Sequence, residues 1–171
     1  MKRFVWATIV FLIIAVFTTE NVFSQNPREK NFSGTHYYGQ TKKVYKLDQG
    51  QMIIQFESHG VRVNDDAKEL FHEASVHIAG LVFIGKSGSK LRAFETWTDA
   101  NGDKVVWELT EKASPPTQPG TVPGTAKIVS GMGKYAGIQG TMDWVVRNPI
   151  PFPEGTGRGI CREEIKLVLA E

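Results

Sequence analysis

Glu95 is the residue best placed to do chemistry. It shares one face of an extended segment with Leu91, Ala93 and Trp97, because alternate side chains of a strand point the same way. The next segment, beyond Asp99-Ala100-Asn101-Gly102-Asp103, offers Val105, Trp107 and Leu109 on one face. A carboxylate enclosed by such neighbours loses hydration, its pKa rises, and it can act as a general acid. Turned to water, the same residue would be an ordinary solvated carboxylate. His77 stands in phase with Ala79, Leu81 and Phe83, as a hydrogen-bonded histidine of a packed face or as a cavity residue. His77, Trp97, Trp107 and Tyr135 are the residues expected to touch a ligand, with Glu95 as the acid–base group.

Other spacings that invite chemistry do not complete it. His72-Glu73 with His77 resembles part of a zinc-protease motif, which needs its histidines four apart on a helix. These are five apart on a strand-like stretch and fall on opposite faces. Asp99 to Asp103 invites calcium, but glycine would be fourth in the loop and Thr110 twelfth, against sixth and a glutamate in an EF-hand. Asn101-Gly102 instead predicts a tight hairpin of type I′. The glycines from Gly131 to Gly140 lack a Gly-Lys-Ser/Thr ending and precede no helix, so they form no phosphate cradle. No serine–histidine–aspartate or cysteine–histidine arrangement stands out. No metal and no cofactor is expected.

The elements that must position these residues are strands. Thr35 to Leu47, Gln51 to Ser58, Ala74 to Ile84, Lys90 to Thr98 and Lys104 to Thr110 have strand length and composition. Asp48-Gln49-Gly50 and Lys86-Ser87-Gly88-Ser89 are turns by composition. Asn64 to His72 reads as a crossing loop with room for one turn of helix, capped by Asn64 or Asp65. Ala113 to Gly124 and Asn148 to Gly159 carry too much proline for regular structure and read as surface loops. Between them, Thr125 to Trp144 reads strand, glycine turn, strand, with Gly131, Gly133, Gly137 and Gly140 at the reversal. The last strand, Cys161 to Ala170, sets Cys161, Ile165, Leu167 and Leu169 opposite Arg162, Glu164 and Lys166. About eight antiparallel strands make a closed barrel or a sandwich. The apolar final strand favours closure, since unpaired it would be an exposed edge.

Lys2 and Arg3 precede an apolar run from Phe4 to Phe17, and Val22-Phe23-Ser24 follows. That pattern predicts a signal peptide over 1–24, removed before Gln25, and a periplasmic or extracellular protein. The run is shorter than the roughly 20 residues of a spanning helix, so no membrane anchor is expected after cleavage. Of 171 residues, 24 removed leave 147 (25–171), enough for one domain. Residues 25–32 read as a loose terminus. Losing Lys2, Arg3 and Glu20 leaves 18 basic and 17 acidic side chains, no basis for a nucleic-acid partner. Cys161, the single cysteine, can form no internal disulfide and is expected to pack as a small apolar residue.

Three stretches, Phe71 to His77, Thr98 to Val105 and Gly131 to Gly140, resemble in order exported bacterial proteins with an allene oxide cyclase-like barrel. Plant dirigent proteins are similar at the glycine hairpin. The resemblance spans Phe71 to Trp144 and rests on turn motifs, which bear on fold rather than activity. It implies a single all-β domain, an eight-stranded antiparallel barrel of calycin-like type. It implies no established reaction, and no catalytic residue of the plant cyclase maps onto this chain. The expected function is a module binding a small, partly hydrophobic molecule in the barrel mouth. An isomerase or cyclase using Glu95 is the first alternative, and a filled structural module able to form homo-oligomers the second.

Overall fold

A computed structural model describes residues 28–112, 121–147 and 156–170. The segment expected to be a signal peptide lies outside them. Eight strands run β1 (Arg28–Lys46), β2 (Met52–Asn64), β3 (Ser75–Gly85), β4 (Gly88–Thr98), β5 (Lys104–Glu111), β6 (Thr121–Met132), β7 (Gln139–Arg147) and β8 (Thr156–Leu169). Each pairs antiparallel with its sequence neighbour, and β1 pairs with β8 to close the barrel. The closing ladder runs from Arg28 opposite Leu169 to Thr41 opposite Thr156. Residues 28–32 are thus strand rather than loose terminus, because the long apolar β8 needs a partner along its whole length.

The stretch expected to be a crossing loop is one, made of turns without a helix from Asp65 on; β2 runs through Asn64, whose side-chain amide donates to the carbonyls of Glu69 and Leu70 and ties the loop down. One other expectation is corrected. Strand β6 begins at Thr121, so Pro123 lies inside it, opposite Val145, with its carbonyl accepting from Lys112 N–H.

The lumen is filled by alternate residues from all eight strands. One end is sealed. Phe71, from the β2–β3 connection, packs against Trp97 at 5.2 Å and Tyr135 at 4.4 Å between ring centroids. Ile138, from the glycine reversal, is buried beside them. The reversal needs glycine at Gly133 and Gly137, with φ of 67° and 77°. At the same end Asp99 Oδ1 accepts from the backbone of Asn101 and Asp103. Only Gly102 of the Asn-Gly pair has positive φ, so this turn is not type I′ but a longer loop with a left-handed glycine. The opposite end carries the β1–β2 and β3–β4 turns, and Tyr38, Phe56, Ile78 and Leu91 near it are only half-buried.

Candidate functional site

Four ionisable side chains from four strands meet in the middle of the lumen. His36 comes from β1, Arg62 from β2, Glu95 from β4 and Glu163 from β8, and each is almost wholly buried. Arg62 Nε donates to Glu163 Oε2 at 2.7 Å. Trp97 Nε1 donates to Glu95 Oε1 at 2.8 Å. His36 Nδ1 lies 3.7 Å from Glu95 Oε1 and 4.0 Å from Glu163 Oε1, between the two carboxyls. The Arg62 guanidinium stands over the Trp97 ring at 4.6 Å and the Phe32 ring at 5.2 Å, which suits a cation removed from water.

Glycines make the room. A β-carbon at Gly60 would lie 2.6 Å from His36 Nε2 and 2.0 Å from the Tyr37 carbonyl oxygen. One at Gly34 would lie 2.6 Å from the Arg62 guanidinium. These two positions on β1 and β2 let an imidazole and a guanidinium lie flat against the barrel wall.

The electrostatics follow from burial. Loss of hydration pushes Glu95 up, and the negative charge of Glu163 adds to it, while the Trp97 hydrogen bond and Arg62 pull it back. Glu163 is also raised by burial, but Arg62 opposes this by charge and hydrogen bond. Glu163 therefore ionises first, and Glu95 keeps its proton at neutral pH. Burial and Arg62 lower the His36 pKa to about 4, leaving a neutral imidazole. Near pH 7, where Glu163 gives up its proton against Arg62, the cluster sets that pair beside a carboxylic acid and an uncharged histidine.

Several buried polar atoms in this cluster lack a hydrogen-bond partner among the described residues: both His36 ring nitrogens, both terminal Arg62 nitrogens, Glu163 Oε1 and, next to them, Trp107 Nε1. An orphaned buried donor or acceptor costs about 1–3 kcal/mol, so this concentration in one place is expensive.

Of the residues singled out from sequence, Glu95, Trp97 and Trp107 come together in the lumen, with the two indole rings 4.8 Å apart. Tyr135 belongs to the sealed end, where its hydroxyl donates to Asp99 Oδ2. His77 lies on the outer wall, not in the lumen; its Nε2 meets Glu57 Oε1 at 2.8 Å. Sequence reasoning missed His36, Arg62 and Glu163. Glu163 carried a usable signal, since it is in phase with Cys161, Ile165 and Leu167. Cys161 is buried and free, its thiol pKa pushed up by burial, as suits a packed side chain. A surface hollow of about 790 Å³ lined by Glu29, Ile128, Gly137 and Leu167 touches none of the four cluster residues.

The solved structure of the pterocarpan synthase dirigent protein GePTS1 superposes on this architecture with a TM-score of 0.51. The match covers 86% of this chain and 91% of that one at 11% sequence identity. The fold is a dirigent-like barrel. At that identity the likeness speaks for the fold alone. No protein-family profile and no curated protein sequence matches the chain.

Proposed function

We propose that the dirigent-like barrel binds a small, partly apolar molecule through the end opposite Phe71, with a hydroxyl or carbonyl head directed at the His36–Arg62–Glu95–Glu163 cluster. The carrying observation is the set of unpartnered buried donors and acceptors around the Glu95 carboxyl. A polar head gives those atoms partners, while Tyr38, Phe56, Ile78 and Leu91 supply apolar wall above it. Because the cluster is packed, entry requires these half-buried side chains to move aside. The N-terminal pattern of Lys2, Arg3 and an apolar run supports export, so the ligand is met outside the cytoplasm.

A panel of small phenols and cyclic ketones, led by 2-naphthol, tests this by NMR on the indole N–H signals. Binding should move Trp97 and Trp107 ahead of all other residues. A panel in which no member moves them makes the barrel a filled structural module.

A second reading has its own observation. A carboxylic acid that keeps its proton at neutral pH can protonate a bound substrate, and Glu163 beside it can hold the complementary charge. An isomerase or cyclase acting through Glu95 fits that pair, and the barrel of similar fold is described as a synthase. Glu95→Gln should then abolish turnover and leave ligand affinity within about tenfold, roughly 1.4 kcal/mol. Equal loss of both would leave binding as the whole function.

A further inference from the structure

The outer wall carries a second cluster, remote from the lumen. His59 on β2 and His77 on β3 are direct cross-strand partners, and their rings stack at 4.6 Å with 17° between planes. Glu57, two residues before His59, lies on the same face. Its Oε1 is 2.8 Å from His77 Nε2 and 3.5 Å from His59 Nε2. All three side chains are substantially exposed, so the group is open to solvent.

From this geometry we propose that Glu57, His59 and His77 form a binding site for a divalent first-row transition ion of the zinc class. Three ligand atoms already converge within 4.8 Å of one another. A tetrahedral ion with bonds of about 2.0 Å holds its ligands roughly 3.3 Å apart, and the two measured separations bracket that value. Two imidazoles and one carboxylate suit zinc or copper, and harder ions such as magnesium or calcium prefer all-oxygen shells. The residues directly opposite on this face are small and uncharged: Gly39 opposite His59, Thr41 and Ala79 opposite Glu57, Thr96 opposite His77. No cation in those four positions competes for the carboxylate. As a plain ion pair the arrangement contributes little, because exposed pairs are worth about 0–1 kcal/mol. The zinc-protease spacing of His72 and His77 is unrelated to this site; His72 accepts from the Asn64 backbone in the β2–β3 connection.

The chain has four histidines, so an untagged protein gives four imidazole signals. Titration with zinc alone should shift His59 and His77 together, saturate at one ion per chain, and leave His36 and His72 in place. His59→Asn and His77→Asn should each weaken zinc affinity at least tenfold by calorimetry, with thermal unfolding in the absence of zinc unchanged. His72→Gln should bind zinc as the parent does. Zinc that shifts neither histidine, or that binds the His59→Asn protein as tightly as the parent, overturns the proposal.

Discussion

Glu95 and Glu163 enter the lumen from β4 and β8, strands half a turn apart around the barrel, and the Nδ1 atom of one histidine, His36, lies within 4.0 Å of both carboxyls. Arg62 binds Glu163 but not Glu95. That asymmetry gives two glutamates in one dry space different pKa values, and the expectations for the two glutamates below depend on it.

Stability should fall as the solution is made alkaline. In the unfolded chain both carboxyls ionise near 4.5, whereas in the barrel they hold their protons to higher pH. Over that window the unfolded state binds fewer protons, so rising pH favours it. His36 acts the other way at low pH: its folded value of about 4 lies below 6.5, and stability is lost as pH falls through that range. Denaturant melts should show a loss on the order of 1–2 kcal/mol between pH 6.5 and 9, and Glu95→Gln should flatten that limb. A parent protein equally stable at both pH values contradicts the assignment.

The two glutamates should respond differently to neutralisation. Glu95→Gln replaces an already neutral group by one of similar shape, and near pH 7.5, where Glu163 is ionised and Glu95 is not, should change stability by less than about 1 kcal/mol. Glu163→Gln strands the Arg62 guanidinium without its partner in a buried setting, and should cost about 3 kcal/mol or more. Similar losses for both, by urea unfolding at pH 7.5, would mean the two carry the same charge.

Glycine positions separate backbone strain from crowding. Gly137→Ala forces a side chain onto a φ of 77° and should cost about 1 kcal/mol or more without touching the lumen. Gly60→Ala drives a β-carbon against His36 and the Tyr37 carbonyl and should cost about 1–3 kcal/mol or more. It should also move the His36 imidazole signals, which Gly137→Ala should leave in place. Thermal melts together with histidine NMR check both.

Much of the barrel was legible because turn residues and alternation recur along the chain at strand spacing. Glu95 was legible for the same reason: its neighbours in phase are apolar, and β4 and β5 present one such face each. Glu163 was masked by Arg162 and Glu164, which make the start of β8 look like a solvated charged run. His36 and Arg62 were hidden because β1 and β2 invert the usual pattern, with Tyr37, Val61 and Val63 exposed and the charged groups inside. His77 shows the limit of periodicity most clearly. Both faces of β3 are apolar, Val76, Ile78 and Val82 inward and Ala79, Leu81 and Phe83 outward, so alternation alone could not choose its side. The strand ladders decide it, since Val76 pairs with Trp97 and Ile78 with Glu95.

A carboxyl-carbon NMR titration of Glu95 tests the central claim most directly. Burial and the Glu163 charge should carry its midpoint up to about 8, and Glu163→Gln, if folded, should bring it down. A midpoint near 4.5 would put the side chain in contact with water and remove the neutral acid from the centre of the barrel.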